Sequence, residues 1–119
     1  MFRFLFVCLV LVLASSSVAS PVSHAMAQCS ALTYALSKWS DDPEQLESLT
    51  EASDQWFDMA FDAALDEGIS QPFETLTNIA NQAENAWLSK GKTVVYTGDF
   101  REWSNYCDAL GRLHGLNSS

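Results

Sequence analysis

Between Ser30 and His114, apolar side chains recur at steps of three and four residues in four separate segments, each bounded by proline, glycine or a short polar residue. Side chains of a strand alternate with a period of two, whereas this period puts one apolar stripe on each of four helices. The first segment runs from Ser30 to Trp39, with Leu32, Ala35, Leu36 and Trp39 on its stripe, and ends in Ser40-Asp41-Asp42. The second has the clearest start in the chain. Asp42 can cap it, Pro43 suits the first helical position because its missing N–H would be unpaired there, and Gln45 stands three residues after the cap. Leu46, Leu49, Ser53, Trp56, Phe57, Ala60 and Ala64 then share one side, and Gly68 is the expected stop. At about 25 residues it is the expected spine of the fold.

The third segment runs from Pro72 to Lys90, closed by Gly91, with Phe73, Leu76, Ile79, Ala80, Ala83 and Trp87 on its stripe. Its opposite face carries neutral amides: Asn78, Asn81, Gln82 and Asn85. Thr93-Val94-Val95-Tyr96 favours strand, but a lone strand has no partner, so an extended connection packing Val94 or Val95 against the helices is expected. The last helix is expected to start with Asp99 as cap and Glu102 three residues on. Phe100, Trp103, Cys107, Leu110 and His114 follow at helical spacing. Gly111 weakens its end, Gly115 stops it, and a loose tail from Leu116 to Ser119 is expected. Helices joined by short polar turns, each with one stripe to bury, assemble as a small antiparallel bundle. The fold class is therefore all-α.

Ahead of these segments lies a different composition. Arg3 is followed by an uncharged apolar run from Phe4 to Ala14, then serines, Pro21 and the small-residue sequence Ala25-Met26-Ala27. A short basic region, an apolar stretch and small residues at a cleavage site are the layout of a secretory signal peptide. A membrane anchor would need ~20 apolar residues, about twice this run. Residues 1–27 are therefore expected to be a signal peptide cleaved after Ala27, with cleavage nearer Ala19 and a retained anchor as alternatives. Gln28 is too large for the position before a lipidated cysteine, so no lipid at Cys29 is expected.

Removing residues 1–27 takes Arg3 and no acid with it, leaving 92 residues with five basic and fifteen acidic side chains, a formal charge of −10. That length suits one domain, residues 28–119, with one modest core. The charge repels nucleic acids and anionic lipid surfaces, so neither nucleic-acid binding nor stable membrane insertion after cleavage is expected. Four Trp, three Tyr and four Phe are too many aromatics for a disordered chain. Cys29 and Cys107 form an isolated pair without a C-x-x-C motif; in an oxidising compartment such a pair is most simply one structural disulfide within the chain, with an intermolecular pair as the alternative. The bond is expected to clamp a frayed first helix to the last, so that reduction loosens the first helix.

Catalytic chemistry has little to draw on. The only histidine after the leader, His114, has no nucleophile motif near it and reads as a residue interacting with a helix end. Phosphate loops, calcium loops, a haem-attachment motif and zinc-ligand spacings are missing, and no cofactor or metal is expected. Two features remain. Glu47, Glu51, Asp54, Asp58, Asp62 and Asp66 fall at spacings of three and four on the second helix, and no Lys or Arg occurs between Lys38 and Lys90. This ridge reads as a solvated face, a docking surface for a basic protein or a loose binder of divalent cations; exposed along its length, it cannot raise a carboxyl pKa by burial as acid–base catalysis would need. The second feature is the set Trp39, Trp56, Trp87 and Trp103, each on an apolar stripe, which could converge on a core or line a pocket bordered by Tyr106.

The expected function is that of a secreted or periplasmic, non-catalytic protein binding another macromolecule through the acidic face. The alternative is a small-molecule binder with a tryptophan-lined pocket between helices. In size, helicity and its single disulfide the plan resembles small periplasmic helical proteins such as acid-stress chaperones and immunity-type toxin inhibitors, a likeness of fold class that implies no particular activity.

Overall fold

The computed structural model describes residues 21–116, and within them the chain is a four-helix, all-α bundle closed by one disulfide. Helix α1 spans Val22–Trp39, α2 Pro43–Asp66, α3 Pro72–Lys90 and α4 Gly98–Leu113, with a 3₁₀ helix at Lys92–Tyr96 between the last two.

The largest departure from expectation is α1. It starts eight residues ahead of Ser30, crosses the Ala25-Met26-Ala27 sequence without a break, and is the helix against which α2, α3 and α4 all pack. Nine of its eighteen residues are buried, against four of twenty-four in α2. The spine is therefore α1 and not the longer α2. From Val22 to Ser37 the sequence has no Asp, Glu, Lys or Arg, and a helix without a charged face has none to give to solvent and is enclosed.

Small side chains set how closely α1 and α2 approach. Ser23, Ser30 and Ser37 recur every seven residues along α1 and all are buried, as are Ala27 and Ala35. On α2 the buried positions are Ser53, Trp56, Ala60 and Ala64. Ser30 Oγ donates to the Ser53 carbonyl at 2.8 Å while Ser53 Oγ donates to the Ser30 carbonyl at 2.9 Å, so two buried hydroxyls satisfy each other's backbone reciprocally. At one end of α1, Glu67 takes hydrogen bonds from Ser23 N (3.1 Å) and Ser23 Oγ (2.8 Å). The first turn of α1 has no acid of its own, and this carboxylate from beyond α2 satisfies a free N–H where negative charge is favoured. Ser23 with Glu67 and Ser30 with Ser53 run in opposite senses along the chain, so the pair is antiparallel.

Helix ends follow local chemistry with some changes of partner. Asp42 caps α2 as expected, accepting from Glu44 N, but Gln45 does not return to the Asp42 N–H; it accepts from Ser40 Oγ, which itself accepts from Asp42 N. At the other end Gly68 has φ +72°, and the bonds Gly68 N to Leu65 O and Ile69 N to Ala64 O close the helix. Helix α4 is capped by Thr97, whose hydroxyl accepts from Phe100 N, and not by Asp99, which lies in its first turn and pairs with Lys90. The same closing pair of bonds recurs after α4, where Leu116 N donates to Gly111 O at 2.8 Å. Leu116 packs against the core and is not part of a loose tail; residues 117–119 lie outside the described residues.

Three further expectations change. The strand-favouring stretch is a 3₁₀ helix, since one turn suffices to bury Val94 where no second strand exists to satisfy an extended backbone. Leu46 and Phe73, placed on apolar stripes, are exposed; each stands in the first turn or so of its helix, and Phe73 is met edge-on by Phe57. His114 is exposed at the C-cap of α4, where the stripe has already ended.

Candidate functional site

The disulfide is present as expected, Cys29 to Cys107 with Cα atoms 5.7 Å apart. Cys29 does not precede the first helix; it sits inside α1, fully buried, and Cys107 is buried on α4. Of the sixteen residues of α4 only Phe100, Cys107, Leu110 and Gly111 are buried, and α4 packs on α1 far less than α2 or α3 does, so the bond ties the helix least packed on α1 to the most enclosed one. Phe100 meets Trp87 of α3 edge to face at 5.7 Å, and Gly111 lies against Trp56 of α2.

Helix α2 exposes Glu47, Glu51, Asp54, Asp58, Asp62 and Asp66, all six. Among the described residues the one ion pair is Lys90–Asp99, at 3.4 Å, and it lies away from this ridge. Two of the basic side chains are engaged elsewhere with aromatic faces: the Lys38 ammonium lies 5.1 Å from the Tyr34 ring centre, and that of Lys90 lies 5.0 Å from the Trp87 ring. The six carboxylates therefore meet solvent with no cation of the described residues paired with them. A surface of this kind attracts cations and basic protein at long range and loses that attraction as salt rises.

The tryptophans do not converge. Trp56 and Trp87 are buried, while Trp39 and Trp103 are half-buried. They border three separate recesses. Trp56 lines one of about 200 Å³ with Leu32, Leu49 and Cys107. Trp39 lines another of about 300 Å³ with Leu36, Val95 and Tyr96. Trp87 and Trp103 share the third, about 210 Å³ between α3 and α4, with Ala83, Gln28 and the Lys90–Asp99 pair at its border. These volumes fall at or below the small end of ligand pockets. Each indole stands on a different helix and is taken up by its own neighbour, Phe100 for Trp87 and Gly111 for Trp56. Tyr106 stacks edge-on against Trp103 at 5.7 Å, one turn further along α4, and is not among the residues bordering the shared recess.

Two features outside the expected site residues hold the arrangement together. Glu67 anchors the start of α1, and the Ser30–Ser53 pair fixes α1 against α2. The seven-residue spacing of Ser23, Ser30 and Ser37 was the readable signal for the second. No signal in the sequence marks Glu67 as distinct from the other acids. Every buried side-chain nitrogen and oxygen among the described residues has a hydrogen-bond partner. Also among them, no cluster of three or more His, Cys, Asp or Glu stands close enough to hold a metal ion, and no helix is long and apolar enough to cross a membrane. No family model, curated protein or solved structure matches the chain.

Proposed function

We propose that the chain is an exported, non-catalytic protein, secreted or periplasmic, that binds a basic protein through the acidic face of α2. The observation that carries this reading is the row of six exposed carboxylates with no ion-pair partner among the described residues. Like charges at i,i+4 on a helix each oppose it by ~0.2–0.5 kcal/mol. Such a row carries a stability cost that a basic partner would relieve.

The test is the triple variant Asp54→Asn, Asp58→Asn, Asp62→Asn. Relieving the repulsion should leave the fold intact and raise its stability by about 1 kcal/mol at low salt, an increase that fades as salt screens the charges. A basic protein retained by the immobilised wild-type chain from native extract at ~50 mM salt should be released by ~500 mM salt. It should not be retained by the variant at either concentration. A partner indifferent to both salt and the variant would end this reading.

The recess shared by Trp87 and Trp103 supports a second reading, a binder of a small flat molecule. Its indoles and the Lys90–Asp99 pair offer apolar walls beside a polar edge. Titration with small aromatic compounds should quench indole fluorescence in the wild-type chain and not in Trp103→Ala. Equal quenching in both would reject the recess as the site.

A further inference from the structure

We infer that the leader is removed after Ala19, not after Ala27, so that the working chain begins at Ser20; the inference rests on the export reading above. Hydrolysis of the Ala19–Ser20 peptide bond would consume one water and leave a carboxylate on Ala19 and an ammonium on Ser20. Small residues stand at the positions a signal peptidase reads, ending on an alanine, at Ser17 and Ala19, at Ser23 and Ala25, and at Ala25 and Ala27, the last two overlapping. Ala19 lies five residues beyond the end of the apolar run at Ala14, and Ala27 lies thirteen beyond it. Only the nearest site directly follows the apolar core as the signal layout requires.

The fold discriminates more sharply, because each site leaves a different chain to fold. Cleavage after Ala27 would delete Ser23, Met26 and Ala27, all buried in α1, and Met26 is among the largest fully buried side chains of the bundle. It would take away both donors that Glu67 accepts from. The shortened helix would begin at Gln28, so its unpaired N–H groups would fall at Cys29, Ser30 and Ala31, three buried residues in the middle of the core. A new ammonium would stand directly beside Cys29, which is 0 % exposed, where burying a charge is costly. Cleavage after Ala19 raises none of these conflicts. Ser20 and Pro21 precede the first helical residue, Val22, and every buried residue of α1 is kept.

The experiment is expression of the full precursor in a secretory host, followed by intact-mass and N-terminal analysis of the released protein. An N-terminus at Ser20 is the expected result, and Ala19→Leu in the precursor should abolish that product. Ala25→Leu, which enlarges a residue of both other sites, should leave the released N-terminus at Ser20. An N-terminus at Gln28, or at any residue other than Ser20, overturns the inference while leaving export standing. A precursor kept in the cells with Met1 or Phe2 at its N-terminus overturns both.

Discussion

Replacing Cys29 and Cys107 together by alanine is expected to lower stability by about 4–5 kcal/mol, the loop-closure entropy of a ring spanning this separation. The separation is 78 residues, nearly the whole of the described chain. For a domain of this size that corresponds to a fall in melting temperature of roughly 15–30 °C. Where the damage falls is set by how much of each helix packs on α1, against which α4 packs far less than α2 or α3 does. Helix α1 keeps Met26, Ala27, Leu32, Ala35 and its serine bonds to α2 whether or not the bond exists. Helix α4 keeps only Phe100 on Trp87, Leu110, and Gly111 on Trp56. The expected result is that α4 comes loose while α1, α2 and α3 stay formed, the reverse of an account in which the first helix is the frayed one. Amide exchange followed by mass spectrometry would show α4 amides losing protection well before those of α1. Equal loss in both helices, or a melting temperature within a few degrees of wild type, would refute this.

The second large effect is expected at Trp56. This indole is 4 % exposed and fills the space between α2 and the end of α4, where a Cβ added at Gly111 would lie 3.2 Å from its Cζ2. Trp56→Ala removes the transferred ring and leaves a void, a change of about 3–5 kcal/mol. The void cannot close readily, because α4 is pinned to α1 by the disulfide a single turn away at Cys107. Gly111 gives the matching test. In the wild-type chain Gly111→Leu pushes a side chain into the indole and should destabilise, by about 1–3 kcal/mol for overpacking. In the Trp56→Ala background the same leucine enters the vacated space and should restore part of the loss. Denaturant midpoints for the four chains form a double-mutant cycle. If Gly111→Leu has the same sign in both backgrounds, the two residues do not share this space.

The electrostatic and core predictions act on different side chains, exposed acids in one case and buried residues in the other, and that separates binding from folding. Neutralising the α2 ridge touches no buried residue, since all six of its acids are exposed. Removing Trp56 or the disulfide touches none of the ridge. A loss of partner binding with unchanged or raised stability therefore belongs to the charged face alone.

Much of the local structure was legible in the sequence. Pro43 after Asp42, Pro72, and glycines at 68, 91 and 115 mark helix ends through backbone preferences that hold in any fold. Steps of three and four residues identify four helices because a stripe must be buried somewhere, and Leu76, Trp87, Phe100, Cys107 and Leu110 are buried as that argument requires. Cys29 and Cys107, the two cysteines outside the expected leader, have one possible partner each, and they are bonded. The six acids of the α2 ridge are exposed for an equally local reason: unpaired charge on one helix face is not transferred from water. What periodicity does not contain is the assignment of neighbours. It could not make α1 the central helix, because enclosure on several sides is a relation to three other helices; the uncharged stretch from Val22 to Ser37 allows it but equally suits the end of a leader. Nor could it separate the four tryptophans into three recesses, since the stripe gives each indole a direction and no partner. The capture of Ser23 by Glu67, forty-four residues away, and the reciprocal bonds of Ser30 and Ser53 arise only when α1 and α2 lie side by side at the distance their small side chains permit. Local chemistry fixes where each helix starts and stops; the tertiary structure decides which of them is surrounded, because burial depends on what packs around a residue and not on the residue alone.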